Sequence, residues 1–95
     1  MASDAGFRMT VTDVFSIRGR GTVVTGRIEA GTLRAGDTVR ITGQLGSRST
    51  IVTAIETFRK QVEQAAAGEN VGLLLEGVAK SEMRPGDLIV GEASY

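Results

Sequence analysis

Apolar and polar residues alternate along much of the chain, at the period that puts every second side chain on one face of a sheet. Phe7, Met9, Val11, Phe15 and Ile17 all fall at odd positions, which predicts a half-buried first strand over 7–17. The β-branched run Thr22-Val23-Val24-Thr25 suits extended backbone and predicts a second strand over 21–29. A third strand is expected over 38–42, and alternation resumes in a fourth over 50–58. Residues 71–75 read as a continuous apolar strand and 88–90 as the last one. Turn residues separate these runs at 35–37 and 85–87, and the polar, Gly-containing segment 43–49 reads as a hairpin loop. Residues 61–67 favour helix but are too few to hold one alone. A single helical turn is expected at 80–83.

An internal repeat runs through this pattern at an offset of 50. Val23-Val24-Thr25 aligns with Leu73-Leu74-Leu75, Ile28 with Val78, and residues 33–39 with 83–89. Each half carries an L/M-R-x-G-D turn, in which Gly supplies positive φ and Asp bonds the turn backbone. Asp37 and Asp87 therefore read as turn formers and not as catalytic carboxylates. Two half-units of short strands are what a pseudo-two-fold barrel shows, and closure leaves no unpaired sheet edge. The expected fold is all-β, a small closed barrel of six or so short strands.

At 95 residues the chain makes one domain with a modest core. Eleven basic residues balance eleven acidic ones, so no global field draws it to nucleic acid or membrane, and any RNA contact is local. Nine of the basic residues are Arg, which suits bidentate contacts to phosphate but equally fits compositional bias. There is no Cys and no His, which removes thiol chemistry, the commonest general base and the commonest metal ligand. No apolar run reaches membrane-spanning length and no signal pattern opens the chain, so a cytoplasmic setting is the default. No cofactor is expected, and an enzyme would have to rely on Lys60, Lys80 or a carboxylate pair that the pattern does not offer.

The glycine-flanked stretch 19–27 suggests a nucleotide loop, but its spacing excludes one. The nearest match to a phosphate loop is Gly26 to Gly31, and Thr32 stands where the Lys belongs. A dinucleotide pattern from Gly19 and Gly21 meets Val24 at its third glycine position.

In ordered blocks the chain resembles the second domain of elongation factor Tu and related translational GTPases. The blocks are Asp13-Val14-Phe15-Ser16-Ile17, residues 19–27, residues 31–39, Glu56-Thr57-Phe58-Arg59-Lys60, residues 67–75 and Arg84-Pro85-Gly86-Asp87. The resemblance implies a six-stranded antiparallel barrel over 7–92, with tails at 1–6 and 93–95, that is non-catalytic, sits beside a GTPase domain in the parent protein and helps hold the aminoacylated 3′ end of transfer RNA, or ribosomal RNA. By position it implies that Ile17, Val23, Glu56 and Leu74 line a pocket for the terminal adenine. Asp13, Phe15, Thr25, Phe58 and Asn70 match positions around the esterified amino acid, and Arg59 one near the terminal nucleotides. Thr12 stands where the family usually carries an acidic residue. No phosphate loop or switch segment accompanies the barrel, so the expectation is a monomeric barrel standing alone that binds RNA weakly.

The same residues admit plainer readings. Ile17, Val23, Leu74, Phe15 and Phe58 also read as barrel core, Glu56 as a solvated strand residue and Asn70 as a turn residue. A freestanding adaptor barrel with a protein partner is the alternative function, and neutral net charge suits it.

Overall fold

Six antiparallel strands close into a ring. In chain order the strands are β1 (Arg8–Ile17), β2 (Gly21–Ala30), β3 (Thr32–Arg34), β4 (Thr38–Gly43), β5 (Gly46–Thr57), β6 (Lys60–Val62), β7 (Gln64–Ala66), β8 (Asn70–Leu75) and β9 (Leu88–Gly91), with a 3-10 turn at Lys80–Glu82. The computed structural model describes residues 5–58 and 60–92. The ring runs β4-β9-β1-β2-β8-β5, and pairing of β4 with β5 closes it. β6 extends the sheet beyond β5, and β3 pairs with β7 in a separate ribbon. The chain is thus the closed six-stranded antiparallel barrel expected from the strand pattern, the repeat and the resemblance. The tails expected at 1–6 and 93–95 fall for the most part outside the described residues, as does Arg59.

Phe7, Met9, Val24, Ile28, Leu33, Ile55, Leu73 and Ile89 fill the interior and are almost wholly buried. β1 departs from the odd-position expectation. Its register with β2 shifts between Val11 and Asp13, which makes Thr12 an extra residue on β1. A bulge of this kind reverses the alternation beyond it. Phe7, Met9 and Val11 point inward, Val14 then packs on the core, and Phe15 and Ile17 turn outward at 49% and 37% exposure. The core readings of Phe15 and Phe58 are both corrected, since Phe58 is 90% exposed at the β5–β6 tip.

The two L/M-R-x-G-D turns are near copies. Asp37 Oδ2 accepts the Arg34 N–H and Asp87 Oδ2 the Arg84 N–H, each at 2.9 Å. Gly36 and Gly86, at φ +96° and +97°, donate to the carbonyls of Val52 and Val11, each at 2.7 Å. The offset of 50 does not carry into β2 and β8. Even-numbered residues of β2 face inward, odd-numbered ones of β8 do, and Val24 pairs with Leu73 rather than superposing on Leu74.

Two local expectations change. Gly43 pairs with Gly46, so the segment 43–49 is a two-residue turn at 44–45 followed by strand, with Gly46 at φ +115°. Residues 61–67 supply β6 and β7 because each finds a strand partner, β5 and β3 respectively, while Ala65 is buried.

Candidate functional site

Directly opposed residues of neighbouring strands share a face of the sheet, with Cβ atoms about 4.5–5.5 Å apart. On the outer face of β1-β2-β8-β5 this builds two rows. Phe15 pairs with Val23, Val23 with Leu74, and Leu74 with Ala54. One step along, Asp13 pairs with Thr25, Thr25 with Gly72, and Gly72 with Glu56. Ile17 opposes Gly21 at one end, and Asn70 opposes Arg27 at the other. Asp13, Phe15, Ile17, Val23, Thr25, Glu56, Asn70 and Leu74 therefore occupy one continuous surface. Phe58 stands at the hairpin tip beyond Glu56. Arg59, next in the chain, lies outside the described residues.

The bulge at Thr12 creates this surface by turning Phe15 and Ile17 outward. The Thr12 hydroxyl donates to the Thr25 carbonyl at 3.0 Å and lies 3.2 Å from the Thr25 hydroxyl, which ties the bulge to β2. The floor is apolar, made by Phe15, Val23 and Leu74. Val23 is nearly buried although it points outward, because its neighbours in the row cover it. At its centre Gly72 leaves the floor low: a side chain there would stand against Val23 and Thr25.

The polar wall is an ion pair. Arg20 Nη2 lies 2.9 Å from Glu56 Oε2, with both side chains more than a third exposed. Sequence reasoning missed Arg20 and Gly72. Glycines beside Arg20 marked a turn, but nothing in the local pattern signals that its side chain reaches a strand two places away around the ring.

A second charged cluster edges the face near Arg27. Glu29 accepts the Thr10 hydroxyl and the Arg8 Nε–H, each at 2.9 Å. The Thr10 hydrogen bond first, and the Arg8 hydrogen bond second, hold the Glu29 carboxyl below its ordinary value of 4.5; desolvation opposes them, and the Arg8 charge adds least.

Elsewhere a hollow of about 200 Å³ lies between the β4–β5 hairpin and the 3-10 turn, lined by Ile41, Leu45, Arg48, Glu82 and Asp87. Its charged groups serve structure, since Arg48 bonds Glu82 at 2.6 Å and the Gly77 carbonyl at 3.2 Å. Among the described residues no group of three or more His, Cys, Asp or Glu is placed to hold a metal. No helix among them is long and apolar enough to cross a membrane. The outer face thus offers an apolar floor with an exposed aromatic ring, a carboxylate acceptor, a guanidinium and an amide within one strand-built surface. The family model for elongation factor Tu domain 2 matches residues 21–90.

Proposed function

The chain belongs to the elongation factor Tu domain 2 family of translation-factor barrels, and we propose that its β1-β2-β8-β5 face binds the aminoacylated 3′ end of transfer RNA. The observation that supports this reading is the outward turn of Phe15 and Ile17 beside Leu74 and Glu56. A terminal base stacks on the apolar floor, as unpaired bases do on exposed apolar and aromatic groups. Glu56 accepts from the terminal ribose 2′-hydroxyl, the group that tells RNA from DNA. Asn70 offers both donor and acceptor to the α-amino and carbonyl groups of the ester. The role is binding in the cytoplasm, beside a GTPase domain that performs the nucleotide chemistry.

Chemical-shift titration with an aminoacylated CCA-end mimic tests this. Shifts centred on Phe15, Leu74, Glu56 and Asn70 are expected. No shift there at millimolar ligand would overturn the reading. Balanced charge favours a protein partner as the second reading, and recovery of a stable partner from RNase-treated lysate, with no shift from the RNA mimic, would favour it.

A further inference from the structure

Arg20 sits in the β1–β2 turn between Gly19 at φ +82° and Gly21 at φ +119°. Its N–H donates to the Ile17 carbonyl at 3.0 Å, which makes the return tight. Left-handed backbone on both sides is open to glycine at little cost, and it turns the Arg20 side chain back across the face. The guanidinium reaches Glu56 on β5 at 2.9 Å, although β8 lies between β2 and β5. Arg20 also lines one hollow with Gly21 and Leu74, beside the apolar floor. Both side chains are more than a third exposed, and pairs of that kind contribute little net stability.

Resting on the reading above, we infer that Arg20 is a ligand-binding residue that changes partners. In the free chain it neutralises Glu56. When a 3′-terminal nucleotide binds, the guanidinium moves to the phosphodiester of that nucleotide and Glu56 is left to accept from the ribose hydroxyl. The chemistry requires a cation at this point. A ribose 2′-hydroxyl and the phosphate at its 5′ side belong to one nucleotide, so a carboxylate that accepts from the first lies near the negative charge of the second. A planar guanidinium with several donors, always charged, offsets that repulsion and matches phosphate geometry. Among the described residues no other basic side chain forms an ion pair with Glu56.

The test compares Arg20→Ala in the parent and in Glu56→Gln, using a CCA trinucleotide and free adenosine as ligands, titrated by chemical shift at several salt concentrations. Arg20→Ala is expected to weaken trinucleotide binding about three- to tenfold in both backgrounds and to lower the salt slope by about 0.7, the share of one single-strand phosphate contact. Adenosine has no phosphate, so its affinity is expected to change by under about twofold. Arg20→Lys should recover part of the loss, and the melting temperature of Arg20→Ala should stay near the parent's. Loss in the parent but none in Glu56→Gln would overturn the inference, because Arg20 would then act only by neutralising Glu56. Equal losses for trinucleotide and adenosine would overturn it as well. If neither ligand shifts the Glu56 face of the parent, the proposed function itself fails, and this inference with it.

Discussion

Gly72 offers a substitution in which stability and binding should move in opposite directions. It lies in the middle of β8, opposite Thr25 on one side and Glu56 on the other. Its φ is not positive, so alanine is allowed there. A methyl built on Gly72 meets Val23 Cγ1 at 3.4 Å and Thr25 Cγ2 at 3.9 Å, ordinary van der Waals contacts. Glycine within a strand is roughly 0.5–1 kcal/mol less favourable than alanine, mainly through the freedom of the unfolded chain. At about 4–8 °C per kcal/mol for a domain of this size, Gly72→Ala should raise Tm by about 2–8 °C. The same methyl stands in the low point of the floor, between Leu74 and Glu56. Even mild overpacking costs about 1 kcal/mol, so affinity for the RNA-end mimic should fall about fivefold or more. Thermal melting followed by circular dichroism gives the first quantity and chemical-shift titration the second. A lower Tm would refute the packing derived for Gly72. A higher Tm with unchanged affinity would refute the location of the ligand.

Removing the turn carboxylates should separate the two halves of the repeat. Asp87→Ala loses a hydrogen bond to a charged acceptor, worth about 1.5–3 kcal/mol, and should lower Tm by about 6–24 °C. Asp37→Ala should lose less, because Asp37 Oδ1 is buried without a partner and its removal relieves that burial; an equal or larger loss in melting experiments would contradict this. Phe58→Ser should leave stability within about 0.5 kcal/mol, given 90% exposure, while weakening the RNA-end mimic; a clear drop in Tm would return Phe58 to the core. The Glu29 carboxyl should titrate below 4.5 by NMR, and Thr10→Val and Arg8→Ala should each raise it, since each removes a hydrogen bond that holds it down. Since its folded value is depressed, the cluster's contribution to stability is present above the unfolded value near 4.5 and is lost as pH falls through the lower folded one.

Much of the barrel was legible in the residues because its signals are local. Period-two alternation, β-branched runs and G-D turns each act over a few residues, and the ring follows once six strands have no edge to leave open. The L/M-R-x-G-D turns were legible in detail, because Asp-to-backbone bonding is a property of four adjacent residues. The errors arose where a partner strand decides. Nothing in Val11-Thr12-Asp13 announces a bulge, which exists because β2 presents one residue fewer along that length. That one residue moved Phe15 and Ile17 from core to surface. Residues 61–67 have helical propensity, but pairing with β3 and β5 outweighs so weak a preference. Arg20 was illegible for the same reason at longer range, since its contact crosses the sheet to a residue 36 positions later.

The placement of the three phenylalanines carries the argument from fold to function. Phe7 is fully inside, whereas Phe15 and Phe58 are half and nine-tenths exposed. Burying a phenylalanine side chain is worth about 1.5–3 kcal/mol, a large share for a domain whose whole margin is about 5–15 kcal/mol. Folding alone would favour an unbulged β1 with Phe15 inside, as the odd-position pattern suggests. Instead the chain ties the bulge down with the Thr12 hydroxyl on the Thr25 carbonyl and turns Phe15 out beside Ile17. Val14 takes the inward place with a smaller side chain. Exposed singly, such residues need no explanation, but here they adjoin Leu74, an ion pair and a glycine that keeps the floor low. Leu45 and Ile51 are exposed elsewhere, at the β4–β5 turn and on β5, so it is the clustering of Phe15 and Ile17 with Leu74, the ion pair and Gly72, and not exposure alone, that supports a surface kept for a ligand.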